Sequence, residues 1–248
     1  MITATTRLVA LLGHPVDHSL SPRMQNAAFA ARGLDWAYVA LDVDPDDFAA
    51  AVAGLRAAGF AGANVTIPHK GAAAELCDEL DDLARASGAV NTLVFRDRGR
   101  IVGANTDGPA VAGAVDAVGA RALVLGRGGA ARSVAVALEH AGAASVRLAS
   151  RSYADWPPSA ADATILVNAT PLRDEAPVAP QADQQVVDLA YRPDGRPTAL
   201  VAAAHAAGCP TIVDGLEILV RQGAAAFELW TGVAAPVDVM RAAVARIV

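Results

Sequence analysis

The sequence predicts an α/β protein of two domains, and three observations carry that reading. Short runs of Val, Leu and Ile alternate with Ala-rich helical stretches along the chain, the pattern of parallel sheets covered by helices. At 248 residues and 54% hydrophobic, the chain is long enough for one large core or two of ordinary size. The elements also fall into two sets, the first opening on an apolar strand at Leu8 and the second at Arg121.

In the first set, Leu8 to Leu12 reads as a strand, and Ser21-Pro22 is a helix start signal for Met24 to Arg32. A second strand, Trp36 to Asp42, leads through Pro45 into a helix around Phe48 to Ala58, which Gly59 ends. Gly62 to Thr66 is a third strand. Ala72 to Ser87 is predicted as one helix with acidic outer positions, and Ala89–Arg96 with Arg100–Asn105 as a hairpin through Asp97–Gly99. In the second set, strand Ala122–Leu125 runs into Gly126-Arg-Gly-Gly-Ala-Ala131, and a helix follows to about Ala141. Strands Val146–Ala149 and Ala163–Val167 come next, with further helices from Gly215.

Gly126, Gly128 and Ala131 fit a G-x-G-x-x-G/A turn with the strand before it and the helix after it that such a turn requires. Missing side chains at Gly126, Gly128 and Gly129, with small Ala130, let a pyrophosphate approach the helix N-terminus. That predicts a Rossmann-like dinucleotide-binding domain, although a tight strand-to-helix turn has the same spacing. The next strand ends on Ser150-Arg151-Ser152, where NAD sites carry a carboxylate for the ribose hydroxyls. A guanidinium and two hydroxyls suit an adenosine 2′-phosphate, so NADP is expected over NAD, the alternative being a solvated Arg151. Arg127 either assists or points to water.

Composition narrows the partners. A net charge of −6, scattered arginines and 4% aromatic residues argue against a nucleic-acid surface and for small-molecule ligands. The apolar run at Leu8 lacks a basic leader, and Ala-rich segments such as Ala110 to Leu125 are interrupted by Asp116 and Arg121. A cytoplasmic protein without membrane partner is expected, as a monomer or homodimer. Cys77 and Cys209 have no paired spacing and read as buried free thiols. His14 and His18 stand four apart, but Pro15 places them in a loop, and no metal site is expected.

Nineteen arginines and a single lysine, Lys70, supply the basic residues. A guanidinium stays protonated at any accessible pH, whereas an ammonium can give up and regain its proton. Lys70 is therefore a candidate proton shuttle, unless a composition bias left one lysine by accident. It closes one of four polar clusters at predicted strand ends and loops: Ser19 with Ser21, Asn64 to Lys70, Asn91-Thr92, and Asn105-Thr106-Asp107. Singly, each has an ordinary explanation as a helix cap, turn or strand residue.

Together, Gly13-His-Pro-Val-Asp-His-Ser-Leu-Ser-Pro22, Asn64-Val-Thr-Ile-Pro-His-Lys70, Gly88-Ala-Val-Asn-Thr92 and Asn105-Thr-Asp107 resemble, in order and spacing, the signatures of shikimate dehydrogenases. Asn168-Ala-Thr-Pro171, Asp188-Leu-Ala-Tyr191 with Pro193, and Gly215 through Gln222 to Phe227, Trp230 and Gly232 extend the resemblance over nearly the whole chain. It implies NADPH-linked, reversible reduction of 3-dehydroshikimate to shikimate in aromatic biosynthesis. It further implies that Ser19 and Ser21, with Tyr191, hold the substrate carboxylate, that Asn64 braces its loop, and that Thr66, Asn91, Asp107 and Gln222 bind ring hydroxyls. Lys70 and Asp107 are the implied catalytic pair, and Asn168, Thr170, Leu189 and Gly215 join the glycine turn and Ser150–Ser152 in holding the cofactor. The implied domains are residues 1–106 with 215–248 for substrate and 107–214 for dinucleotide.

Two departures from the family pattern stand out. Between Arg151 and Ala163, where a helix and more is usual, the chain has a short segment with Trp156, Pro157 and Pro158, so the second half of the Rossmann-like domain is expected to be shortened, with the adenine side reduced. After Pro171, Arg173 and Asp174 replace a usual glycine and methionine, as a charge pair or with a changed nicotinamide loop. The alternatives are an NAD-dependent quinate/shikimate dehydrogenase, and a catalytically weak paralogue that binds shikimate-like ligands.

Overall fold

The computed structural model describes residues 2–152 and 156–245. In chain order its elements are β1 (Arg7–Gly13), α1 (Ser21–Ala31), β2 (Trp36–Asp42), α2 (Phe48–Ala57), β3 (Gly62–Val65), α3 (Lys70–Glu75), β4 (Glu79–Leu80), α4 (Asp82–Ser87), β5 (Thr92–Phe95), β6 (Ile101–Ala104) and α5 (Asp107–Ala112). There follow β7 (Arg121–Leu125), α6 (Gly129–His140), β8 (Ser145–Ala149), β9 (Ile165–Asn168), β10 (Gln185–Asp188), α7 (Ala199–Ala207), β11 (Thr211–Val213), α8 (Gly215–Thr231) and α9 (Val237–Ala245). These form two compact units, residues 2–106 with 220–245, and residues 107–219. The return to the first unit falls inside α8, between Leu219 and Val220, five residues beyond the boundary expected at Gly215.

The first unit holds a six-stranded sheet in the order β2-β1-β3-β5-β6-β4. Its strands β2, β1 and β3 run parallel, and β5 then reverses against β3 and β6 against β5. The sheet is thus mixed rather than wholly parallel, because the predicted hairpin is built into its middle. One face packs Leu12, Val65, Leu93 and Ile101 on Phe48, Val52 and Leu55 of α2. Elsewhere in this unit α1 meets the C-terminal helices, with Phe29 and Phe227 rings stacked at 5.3 Å and both side chains buried. Burial of each such ring stabilises the fold by roughly 1.5–3 kcal/mol.

The helix predicted over Ala72–Ser87 is divided in the structure. Glu79 and Leu80 pair with Val102 and Gly103 as an edge strand, and Asp78 Oδ2 accepts from the Ile101 amide at 2.7 Å. Asp81 then starts a new helix by accepting from the Ala84 amide at 2.6 Å. Helical periodicity alone does not reveal the strand partner that outcompetes one turn of helix.

In the second unit β11-β10-β9-β7-β8 form a five-stranded sheet in which every pairing is parallel. Counting from β7, the order is 2-1-3-4-5, and the direction of winding reverses between β7 and β9. One face is covered by α5 and α6 through Val111, Val134 and Leu138. The other is covered by Leu200 and Ala204 of α7 together with Trp156, Ala160 and Val178 from irregular segments. The described residues between β8 and β9 contain no helix, as the Pro157-Pro158 pair predicts; residues 153–155 of that segment lie outside the described ones.

Gly62 shows how closely the first unit is packed. A Cβ there would lie 2.2 Å from the Leu93 carbonyl and 2.6 Å from Trp230 Nε1, and that indole donates to Leu93 O at 3.0 Å. Gly62→Ala is expected to cost about 1–3 kcal/mol, read as a lower urea midpoint at unchanged slope; an unshifted midpoint would count against this packing account.

Candidate active site

Parallel strands present their C-terminal ends together, and in the first unit the reversal at β5 turns its start to the same edge of the sheet. The ends of β1, β3 and β6 and the start of β5 therefore lie side by side. They carry, in turn, Gly13 to Ser21, Asn64 to Lys70, Asn105-Thr106 and Asn91-Thr92. Backbone bonds tie these segments: His14 N donates to Ile67 O at 3.0 Å, Thr66 N to Leu12 O at 2.9 Å, Val65 N to Asn91 O at 2.8 Å, and Val90 N to Lys70 O at 2.9 Å.

The buried amides complete the network. Asn64 accepts from Tyr38 Oη at 2.8 Å and donates to Asn91 O and Thr92 Oγ1, both at 3.1 Å. Asn91 Nδ2 donates to Thr106 Oγ1, and its Oδ1 accepts from Thr106 N, both at 2.9 Å. His69 is buried, stacked on Phe48 at 4.4 Å, with Nε2 at 2.8 Å from Val43 O. That side chain anchors the loop whose next residue, Lys70, opens α3 and remains partly exposed. Ser21, buried at the start of α1, donates its amide to Ser19 Oγ at 3.2 Å. Gln222 lies on α8, beside Gly223, whose carbonyl accepts from Gln25 Nε2 at 2.9 Å.

His14 Nδ1 lies 2.6 Å from Asp42 Oδ1 at the ends of β1 and β2, and that hydrogen bond raises the imidazole pKa. Among the described residues no group of three or more His, Cys, Asp and Glu is placed to hold a metal. Cys77 and Cys209 are free but only partly buried, unlike the buried thiols expected. Burial still pushes the Cys77 thiol up to about 12, because desolvation disfavours the thiolate.

In the second unit the strand ends carry the residues read as cofactor-binding. Gly126 follows β7 with φ +124°, and a Cβ there would lie 3.0 Å from Ala169 O. Only glycine enters this turn without strain. Gly128 precedes α6, and no atom lies within 4 Å of where its Cβ would be. The turn thus leaves open space beside Gly128, where a twelve-residue helix begins, and a helix start of this kind can receive a phosphate. Arg127, Gly129 and Ala130 complete the turn. Ser150 and Ser152 follow β8 with hydroxyls 2.7 Å apart, and Arg151 between them is ion-paired with Glu175. Gly215 opens α8 against the Ala190 carbonyl.

The loops after β9 and β10 meet at a buried carboxylate. Asp188 Oδ1 accepts from Asn168 Nδ2 at 2.8 Å and from the Ala190 amide at 2.9 Å, and Oδ2 from Thr198 Oγ1 at 2.5 Å. Asn168 Oδ1 accepts from Thr170 Oγ1 at 2.6 Å, and Leu189 N donates to Asn168 O at 2.9 Å. The carboxylate thus holds Asn168, and Asn168 in turn holds Thr170 through its side chain and Leu189 through its backbone carbonyl.

The family model of the shikimate dehydrogenase substrate binding domain matches residues 11–93, and that of the shikimate 5'-dehydrogenase C-terminal domain matches residues 215–245. A shikimate dehydrogenase (NADP(+)) of Moorella thermoacetica is 44% identical, over 96% of this chain and 92% of that protein. The chain belongs to the shikimate dehydrogenase family. A shikimate dehydrogenase solved in complex with NADP+ superposes with a TM-score of 0.90 at 33% identity, covering 100% of this chain and 98% of that one. The shikimate 5-dehydrogenase of Thermus thermophilus, solved in complex with NADP(H) and shikimate, gives 0.85 at 36% identity over 98% of this chain and 100% of that one.

For a shikimate dehydrogenase family member, the residues read from sequence divide between the two units. Ser19, Ser21, Thr66, Lys70, Asn91 and Gln222 belong to the first unit; Asp107, Tyr191 and the cofactor set belong to the second. Asp107 is buried as the first residue of α5. Of the departures from the family pattern, Asp174 pairs with Arg192 rather than with its neighbour Arg173. Tyr38 and Thr198 are absent from the sequence reading, and Asp188 stands there only within a family signature, without a role. Asp188 had a signal, a lone carboxylate ending an apolar strand; Tyr38 and Thr198 had none, since their partners are distant in sequence.

Burial raises the Asp188 pKa from 3.8 to about 6, although its hydrogen bonds pull the other way. The folded state therefore binds the extra proton between those values, and this group's contribution to stability falls as pH rises through the window, by about 3 kcal/mol in total. Asp188→Asn lacks that loss. The stability of the variant relative to the parent should increase from pH 4 to pH 6.5 in urea titrations and be flat above; a pH-independent difference would refute it.

Proposed function

We propose that the chain catalyses the reversible, NADP-linked reduction of 3-dehydroshikimate to shikimate, as a step of aromatic biosynthesis. The observation that carries this reading is the likeness over 96% of the chain to a protein named shikimate dehydrogenase (NADP(+)). The local chemistry agrees with it. Hydroxyl and amide groups gather at one sheet edge of the first unit, and the glycine turn at the start of α6 in the second has the form that would receive a phosphate.

The open space beside Gly128 and the Gly126 turn fit a dinucleotide pyrophosphate. When bound, NADPH supplies the hydride. Gly126 to Ala130 would hold its pyrophosphate, Ser150, Arg151 and Ser152 its 2′-phosphate, and Asn168, Thr170, Leu189 and Gly215 its nicotinamide side. The Ser19 and Ser21 hydroxyls would hold the substrate carboxylate together with Tyr191, and Thr66, Asn91 and Gln222 the ring hydroxyls. As the ketone carbon is reduced, its oxygen gains negative charge and needs a proton. The Lys70 ammonium meets both needs, and Asp107 would orient it. A guanidinium in its place would stabilise the charge without releasing a proton.

The reading extends to a cytoplasmic protein acting on small molecules, as a monomer or homodimer, without nucleic-acid or membrane partners. A net charge of −6 supports this. No helix among the described residues is long and apolar enough to cross a membrane.

Lys70→Arg should lower kcat by roughly 10²–10⁴-fold while calorimetry still detects shikimate binding; near-normal kcat would remove Lys70 from this role. In steady-state assays of shikimate and quinate, each with NADP and NAD, shikimate with NADP should give the highest kcat/KM. A preference for quinate with NAD would favour the catabolic alternative instead.

A further inference from the structure

Arg151 is not simply waiting in solvent. Its guanidinium is bound to the Glu175 carboxylate, with the two side chains 62% and 60% exposed. Arg151 follows β8 and Glu175 lies in the loop after β9, and these strands flank β7 on either side. The pair therefore ties together the two loops that rise beside the glycine turn. Glu175 also borders an open hollow of about 620 Å³ lined by Pro171 to Glu175, so a ligand has room to reach it.

We propose that Glu175 is a specificity-determining residue that competes with the cofactor's 2′-phosphate for Arg151. The inference rests on the reading above that Arg151 receives that phosphate. A phosphomonoester brings a charge of about −1.5 to −2 at neutral pH and three acceptor oxygens that match the guanidinium fork. Only one guanidinium nitrogen is bound to Glu175, so donors remain for the phosphate, but the adjacent carboxylate repels its negative charge. NADP binding is therefore opposed by Glu175, through that repulsion or through loss of the pair. NAD, with hydroxyls in place of the phosphate, does not need Arg151 and meets no such opposition. Glu175 thus narrows the preference for NADP over NAD. The supply of a carboxylate from the β9 loop also sets this chain apart from sites in which the acid ends the second strand.

Calorimetric titration of the intact protein with 2′,5′-ADP and with 5′-AMP separates the phosphate's contribution from that of the rest of the nucleotide. Glu175→Gln should tighten 2′,5′-ADP by about three- to tenfold at low ionic strength and leave 5′-AMP unchanged, with the gain shrinking in high salt because the pair is exposed. Arg151→Gln should weaken 2′,5′-ADP, and adding Glu175→Gln to it should restore less than the single change gains. If Arg151→Gln weakens 2′,5′-ADP while Glu175→Gln does nothing or tightens both nucleotides equally, the competition is refuted and Arg151 keeps its role. If Arg151→Gln leaves 2′,5′-ADP binding intact, the phosphate assignment fails and the competition falls with it. Both positions are exposed, and unchanged thermal melts of the variants establish that folding is not the cause.

Discussion

Buried polar side chains at strand ends must find partners, and this requirement shapes both units. An amide or carboxylate taken out of water without hydrogen bonds costs several kcal/mol, so the loops that supply the partners are held in place by the same bonds. Asn64 and Asn91 impose this on the first unit, joining β2, β3, β5 and the end of β6 through Tyr38, Thr92 and Thr106. Asp188 imposes it on the second, joining the loops after β9 and β10 to the start of α7. The candidate substrate and cofactor groups sit on these segments, which gives them fixed positions without making them part of a hydrophobic core.

Sheet topology determines where such segments gather. In the second unit the parallel order brings all strand ends to one edge, and the reversal of winding between β7 and β9 opens the crevice at the glycine turn. In the first unit an antiparallel hairpin reaches the same result, since reversing β5 places its first residues beside the last residues of β3. The shortened crossover after β8 does not leave the sheet uncovered. Trp156, Ala160 and Val178 pack where a helix would otherwise be required, so apolar burial is preserved by irregular chain while the space around Arg151 is set by the β9 loop.

The electrostatics of the second unit follow from that loop. Asp174 and Glu175 extend from it to Arg192 and Arg151, on different neighbouring segments. The Arg151–Glu175 pair is exposed on both sides and contributes little to stability, whereas Arg192 is largely covered beside its exposed partner Asp174. Under the competition proposed for Glu175, that exposed pair acts on selectivity rather than on the fold.

Much of this was legible in the sequence because the controlling physics is local. The β7 strand, the Gly126 to Ala131 turn and the α6 helix follow from apolar patterning and from the absence of side chains where backbone must approach a ligand. The hairpin of β5 and β6 follows from two apolar runs and Gly99. Lys70 stood out by composition alone. Tertiary structure decided what depends on partners far along the chain: the division of Ala72–Ser87 into helix, edge strand and helix, the mixed order of the first sheet, and the continuation of α8 across the unit boundary. It also decided that Asp188 is buried with three donors and that Arg151 meets Glu175. Patterning fixes which residues face a core because the helical and strand periods are properties of the backbone, whereas the partner of a given polar group is set by which strands become neighbours, and that is settled only when the sheets form.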